Sequence, residues 1–194
     1  MNILILGDVV GSSGREVLKK RLKTIIKEKN IDFTVVNGEN ADNTGVGITK
    51  ENSNSFFDLG VDVITSGNHI WDQKETMTFI ENEKRLLRPY NLTKGSPGKG
   101  FGIFQTKNKK FKIAVINLMG NIFMKKCDDL FQAAFQLKNL VRLRKDADFI
   151  IVDVHGEITS EKMALGHFFD GEATVVVGTH THVPTSDTHI LKGG

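Results

Sequence analysis

The sequence predicts an α/β fold in which strands and helices alternate along the chain. Short β-branched runs, such as 174–177, recur between segments whose apolar residues have helical spacing, such as 15–28. Two apolar runs at 101–106 and 111–117 flank a lysine-rich turn, which is typical of a β-hairpin. Together these observations favour a sheet that contains both parallel strands and a hairpin, with helices packed against it.

The first half of the chain repeats a strand–helix order. Apolar runs are followed by turn-forming stretches rich in glycine or asparagine, at 7–14 and 37–48. A segment with helical spacing then follows each turn. The predicted strands are residues 2–6, 33–36 and 61–64, and the predicted helices are residues 15–28, 50–59 and 74–83.

The second half continues the alternation after the hairpin. Asp128 has the chemistry of an N-cap and precedes a helix predicted to run through Leu143. A last strand is predicted at 188–192. Gly193-Gly194 has the composition of a hairpin turn but no strand follows it, so we expect a truncated chain or an unusual pairing. The remaining predicted elements are strands at 149–154 and 174–178 and a helix at 160–169.

The composition is that of a globular protein with a weak basic charge. The 194 residues suffice for one domain spanning 1–194, and a net charge of +3 is compatible with an anionic substrate. The charges are dispersed, which argues against stable nucleic-acid binding. The single cysteine, Cys127, excludes an internal disulfide, and no apolar run reaches the roughly 18 residues of a membrane span. We therefore expect a cytoplasmic protein without membrane contact, and a homo-oligomer stays open.

Two histidines after the last buried run are the strongest functional signal. His180 and His182 leave a strand end two residues apart, so their imidazoles can converge on one point. Other carboxylates, amides and imidazoles also follow strand-like runs, and parallel strands bring their carboxyl ends to one edge. A mixed oxygen and nitrogen set of this size exceeds one tetrahedral ion, which favours two metals about 3.5–4 Å apart. The candidates are Asp8, Glu39, Asn68, His69, His155, His180 and His182.

A dinucleotide-binding turn is an alternative interpretation of the first glycines. Gly7, Gly11 and Gly14 follow the first run, and Glu39 falls where a ribose-binding acid would lie. The spacing is not G-x-G-x-x-G, however, and Asp8 would point a negative charge at the pyrophosphate. This alternative also leaves the later histidines unexplained.

Other polar residues have structural alternatives. A lone histidine after a strand, as His155 would be, is often a satisfied polar residue, and the asparagines of the 37–48 stretch are typical turn formers. His167 and His189 lie inside predicted elements and are expected to be structural. Asp153 lies inside a buried run, where it is expected either to orient a ligand or to mark a sheet edge.

Taken in chain order, the candidate residues resemble the motifs of calcineurin-like metallophosphoesterases. The pattern departs from the wider superfamily at Val10, where a histidine is usual, and at Glu39, where an aspartate is usual. Both departures are typical of the YmdB-like phosphodiesterases, and the resemblance covers nearly the whole chain. The motifs are Gly7-Asp8, Gly38-Glu39-Asn40, Gly67-Asn68-His69, Trp71-Asp72, His155, Thr159-Ser160-Glu161-Lys162 and Gly178-Thr179-His180-Thr181-His182.

The resemblance implies a calcineurin-like α/β sandwich with mixed sheets flanked by helices, in a family that continues past residue 194 with further strands. It also implies two metal ions per chain, with iron or manganese favoured over zinc or magnesium. Asp8 and His182 would hold the first ion, and Glu39 would bridge both. The second ion would be held by Asn68, His155 and His180.

The implied reaction is hydrolysis of a small phosphodiester, with 2′,3′-cyclic nucleotides as the leading substrates. A hydroxide bridging the two metals would attack phosphorus, His69 would protonate the leaving oxygen, and Asn40 would bind the phosphate. Two other functions stay open: a regulatory protein that binds metal and nucleotide with little turnover, and a phosphomonoesterase on the same site. Trp71 is expected to pack in the core rather than to stack on a base.

Overall fold

The computed structural model describes residues 1–194 and confirms the alternation of strands and helices. The strands are β1 (Ile3–Leu6), β2 (Phe33–Asn37), β3 (Val63–Thr65), β4 (Phe101–Gln105), β5 (Lys112–Met119), β6 (Phe149–His155) and β7 (Val175–Thr179). The helices are α1 (Gly11–Glu28), α2 (Lys50–Asp58), α3 (Thr76–Phe79), α4 (Leu130–Leu140) and α5 (Thr159–Phe168).

The strands form two sheets. The first sheet contains β1, β2 and β3 in that order, and all three strands are parallel. The second sheet has the order β4-β5-β6-β7, in which β4 and β5 pair antiparallel as the predicted hairpin. The remaining pairs of the second sheet are parallel. The carboxyl ends of six strands, β4 excepted, can therefore point to the same edge of the molecule.

The two sheets pack face to face through side chains that alternate along each strand. Val35 of the first sheet and Ile113 and Ile151 of the second belong to the apolar layer between them. The neighbouring residues face outward: Val36 packs with α1 and α2, and Val152 packs with α4 and α5. Each sheet thus buries both faces, which explains the almost continuous apolar runs of these strands in the sequence.

Toward the carboxyl ends, the inner faces of the strands change from apolar to polar. Asn37 follows Val35 on the same face, and Asp153 follows Ile151, because successive side chains alternate across a strand. These polar residues are buried between the sheets, directly behind the strand ends. We call them the inner polar cluster, which consists of Asn37, Thr65, Asn117, Asp153 and Thr179.

The prediction of a strand at 188–192 is wrong. These residues form no regular structure, and no strand of the chain pairs with them. Ile190 is 88% exposed, and His189, expected inside that strand, lies in the same irregular segment. An apolar alternation alone does not make a strand, because the backbone hydrogen bonds of a strand require a neighbour.

Several helix boundaries differ from the prediction. The cap of α4 is Asp129 rather than Asp128, since the Asp129 side chain accepts a hydrogen bond from the backbone N–H of Gln132, and the helix ends at Leu140. The helix predicted over 74–83 is reduced to α3, because the backbone hydrogen bonds on either side of it are mostly i→i+3 bonds, which are typical of 3₁₀ turns. Helix α1 begins at Gly11 instead of residue 15. None of the helices combines the length and the apolar character that a bilayer crossing requires.

Candidate metal centre

Five strand ends carry the candidate residues to one edge of the two sheets. The carboxyl ends of β1, β2 and β3 lie side by side in the first sheet, and those of β6 and β7 lie side by side in the second. The structure therefore brings the candidates together across the gap between the sheets. They are Asp8 after β1, Glu39 after β2, Asn68 and His69 after β3, His155 at the end of β6, and His180 and His182 after β7.

The centre of the cluster is the Nε2 atom of His155. Glu39 Oε1 lies 3.0 Å from it, Asn68 Oδ1 lies 3.1 Å away, and His180 Nδ1 also lies 3.1 Å away. A ring nitrogen carries at most one proton, so it cannot satisfy three such neighbours by hydrogen bonding. Lone-pair donors gathered this closely are suited to surround a cation.

A chain of hydrogen bonds from the inner polar cluster sets the orientation of His155. The Thr179 hydroxyl donates to Asp153 Oδ1 at 2.7 Å, so its oxygen is left to accept from His155 Nδ1 at 2.9 Å. The Asn37 amide donates to both Thr179 and Asp153, and Thr65 donates to Asp153 as well. In this arrangement a neutral His155 ring carries its proton on Nδ1, so that the lone pair of Nε2 points into the cluster, as in a metal-ligating histidine.

The electrostatics of the cluster favour positive charge at its centre. Burial lowers the pKa of His155, but the hydrogen bond and charge of Glu39, with Asp153 and Asp8 nearby, outweigh burial and raise it. Burial raises the pKa of Glu39, but His155 and the backbone N–H of His69 outweigh burial and lower it. Glu39 is thus a carboxylate at neutral pH, and the site stabilises a cation beside it.

Asp8 supplies an independent sign that the site suits a cation. Its side chain is 4% exposed, and Oδ2 accepts a hydrogen bond from the His180 backbone at 3.0 Å. Oδ1 is buried without a hydrogen-bond partner, and the nearest imidazole nitrogens, of His182 and His155, lie 3.7 and 3.8 Å away. A buried carboxylate oxygen without a partner is costly. The residues present therefore fit a bound metal ion.

The backbone around the cluster is shaped to hold these side chains. His180 and His182 have φ values of +104° and +56°, a strained region for residues other than glycine. Such strain concentrates at functional sites, where the surrounding structure enforces it. At Gly67, a Cβ atom would overlap the side chains of His155 and Glu39, so only glycine lets the chain pass this close.

His69 lies at the border of the cluster and has its own partner. Its Nδ1 atom lies 2.6 Å from Asp72 Oδ2, and the other oxygen of Asp72 accepts a hydrogen bond from Lys125 Nζ at 3.0 Å. Burial raises the pKa of Asp72, but the bonds from His69 and Lys125 outweigh burial and lower it. A charged Asp72 therefore holds the His69 ring through Nδ1, and Nε2 takes no part in that bond.

The similarity to known proteins extends over the whole chain. A model of the family described as YmdB-like protein matches residues 4–194. The chain belongs to the YmdB-like family. It is 44% identical over 194 residues to the 2′,3′-cyclic-nucleotide 2′-phosphodiesterase of Bacillus subtilis strain 168, covering 100% of this chain and 72% of that protein. It is 37% identical to a putative phosphatase/phosphodiesterase of Mycoplasma genitalium, with 100% and 69% covered.

Solved structures show the same fold. This YmdB-like chain superposes on a hypothetical protein from Thermus thermophilus with a TM-score of 0.89 at 38% identity, covering 100% of this chain and 73% of that one. A novel phosphatase from Mycoplasma pneumoniae gives 0.88 at 36%, with 99% and 68% covered. A 5′-nucleotidase from Candida albicans gives 0.59 at 14%, with 94% and 43% covered, which shows a shared fold alone. The predicted α/β arrangement of two sheets flanked by helices is confirmed, but only the second sheet is mixed, since the first is wholly parallel.

The remaining predicted residues have clear positions. Asn40 is 5% exposed, its Nδ2 donates to the Gly45 carbonyl at 2.9 Å, and its Oδ1 has no partner. Trp71 packs against the apolar core of the first sheet, as expected. Asp153, which the sequence left between two interpretations, lies behind His155 rather than at a sheet edge. The sequence assigned no role to Thr179 or Lys125, because each acts through hydrogen bonds to residues that are distant along the chain.

Proposed function

We propose that this YmdB-like protein is a metal-dependent phosphodiesterase that hydrolyses small phosphodiesters, above all 2′,3′-cyclic nucleotides. The observation that carries the proposal is the group of ligand atoms around His155 Nε2, next to the partnerless Oδ1 atom of Asp8. The names of the Bacillus and Mycoplasma relatives support phosphoesterase chemistry. The net charge of +3 is compatible with an anionic substrate.

The donor atoms divide into two groups that would hold two ions. Asp8 and His182 face each other across 3.7 Å and would hold the first, while Glu39 would bridge both. The proposed ligands of the second are Asn68, His155 and His180. Nitrogen and oxygen donors without sulfur suit iron or manganese, with zinc or magnesium as alternatives. Two such ions, when bound, polarise phosphoryl oxygens and make water a stronger nucleophile.

His69 is the proposed general acid. Asp72 holds its Nδ1 atom, and Lys125 fixes the same carboxylate from the other side. As a P–O bond forms to a water oxygen, the water gives up a proton to solvent; as the P–O bond to the leaving group breaks, His69 Nε2 donates its proton to the leaving oxygen. Asn40 retains one amide N–H beyond its bond to Gly45, and we propose that this N–H binds the phosphate.

Hydrolysis of bis(p-nitrophenyl) phosphate, with and without added manganese, tests the proposal. We expect manganese-dependent turnover by the wild type and by His167→Ala, a control histidine on α5 outside the cluster. His69→Ala should lose about 10²–10⁴-fold in turnover while its bound manganese, measured by plasma mass spectrometry, stays unchanged. Full activity of His69→Ala would remove His69 from the acid role, and no turnover by the metal-loaded wild type would contradict an enzyme.

Three further measurements distinguish the proposed phosphodiesterase from the two alternative functions. A phosphomonoesterase would cleave p-nitrophenyl phosphate faster than the diester. A regulatory protein would bind a 2′,3′-cyclic nucleotide in calorimetry without releasing product. The proposed phosphodiesterase should instead convert the cyclic nucleotide to a nucleoside monophosphate, which chromatography detects directly.

A further inference from the structure

The loop between β5 and α4, residues 120–129, is bonded at two points to residues of the proposed site or beside it. At its start, the Gly120 N–H donates to the His155 carbonyl at 2.9 Å. Further along, Lys125 Nζ donates to Asp72, whose other oxygen lies against His69. The loop is therefore attached at Gly120 to a proposed metal ligand and at Lys125 to the partner of the proposed acid, and residues 121–124 connect these two attachments.

This β5–α4 loop is fixed by further bonds at its base. The Glu161 carboxylate of α5, which is 7% exposed, accepts the backbone N–H groups of Asn121 and Ile122 at 3.1 and 3.4 Å. The Asn121 side chain accepts from the Leu130 N–H at 2.8 Å and so joins the loop to the first turn of α4. The position of the loop tip is thus set by the fold.

Phe123 lies at the tip in an unfavourable state. Its side chain is 83% exposed, and its φ of +60° is in the left-handed region, which bulky residues rarely adopt. The ring gains little burial, and the backbone conformation adds strain, so Phe123 does little for folding. Strain of this kind is kept at ligand-binding positions, where it places a side chain.

We infer that Phe123 is the platform on which the base of a nucleotide substrate stacks, so that it sets the preference for nucleotides over phosphodiesters without a base. The inference rests on the proposed function and names its specificity residue. The two larger aromatic residues are engaged elsewhere: Trp71 packs against the core, and the Tyr90 ring lies 6.1 Å from that of Phe101. Stacking on an aromatic ring tolerates any base, so we expect weak discrimination among bases.

The test compares two substrates, 2′,3′-cyclic AMP and the base-free ribose 2′,3′-cyclic phosphate, with manganese present. In Phe123→Ala, the kcat/KM preference for the nucleotide should fall about ten-fold, the size of one base–aromatic stack, mainly through KM. Phe123→Tyr keeps the ring and should keep the preference. Ile122→Ala, a neighbouring exposed apolar residue of the same loop, is the matched control and should also keep it.

Other outcomes would overturn the inference. An unchanged preference in Phe123→Ala, or an equal loss in Ile122→Ala, would assign the effect to the loop rather than to the ring. If the wild type hydrolyses neither substrate, the proposed function fails. The stacking role of Phe123 is then tested separately, by measuring the binding of adenosine 3′-phosphate by calorimetry. About ten-fold weaker binding by Phe123→Ala would support the platform, while equal binding, or none by the wild type, would refute it.

Discussion

Replacing Thr179 by valine removes one hydroxyl from the hydrogen-bond chain behind His155 and keeps the β-branched shape of the side chain. The hydroxyl donates to Asp153 at 2.7 Å and accepts from His155 Nδ1 at 2.9 Å and from Asn37 at 3.2 Å. In the variant, the His155 N–H faces a methyl group, and a buried carboxylate oxygen of Asp153 loses its partner.

The expected losses of folding stability and of metal affinity follow from these lost hydrogen bonds. Two buried polar groups, the His155 N–H and Asp153 Oδ1, lose their partner at a cost of about 1–3 kcal/mol each, so the metal-free variant should be about 2–6 kcal/mol less stable. Loss of the bond that orients a metal-ligating histidine typically weakens metal binding by about 10–100-fold, or roughly 1.4–2.8 kcal/mol. Thr179→Ser keeps the hydroxyl and loses only a methyl group, so we expect its manganese affinity to stay close to that of the wild type.

Two measurements decide the matter: urea unfolding of the metal-free proteins, and calorimetric titration with manganese. The expected order of affinity is wild type, then Thr179→Ser, then Thr179→Val, with the large gap before valine. A manganese affinity of Thr179→Val within two-fold of the wild type would refute the claim that the Asp153–Thr179 pair orients His155. A lower free energy of unfolding with an unchanged manganese affinity would show that Thr179 contributes to folding stability but not to metal binding.

Three further experiments have defined expected outcomes. Glu39→Ala should lose bound metal together with activity, because it removes the carboxylate shared by both proposed ion sites; unchanged manganese content in plasma mass spectrometry would exclude the bridge. Gly67→Ala should lower the free energy of unfolding by about 1–3 kcal/mol, since its methyl group overlaps His155 and Glu39, and an unchanged urea midpoint would contradict this packing. Burial raises the pKa of Cys127 to about 11, so iodoacetamide at pH 8 should alkylate it slowly in the folded protein and rapidly in urea; equal rates by mass spectrometry would refute the raised pKa.

The elements that depend on local pattern were predictable from the sequence. The hairpin of β4 and β5 and the runs that form β2 and β6 have signals carried by their own residues. The edge on which the candidate residues meet was also predictable, because parallel strands align their carboxyl ends. A local pattern did not suffice for the segment 188–192: its pattern is strand-like, but no neighbouring strand pairs with it.

The sequence by itself determined the fold class, the family resemblance and the candidate ligands, because these depend on residue types and their order along the chain. Only the tertiary structure decided how the side chains pair. Asp153 meets Thr65 from the opposite sheet, 88 residues away, and Lys125 meets Asp72 across 53 residues. Such contacts depend on how two sheets and a loop pack in space, and no local spacing encodes them. The hydrogen-bond partner of His155 Nδ1 and the exposed position of Phe123 were settled by that packing.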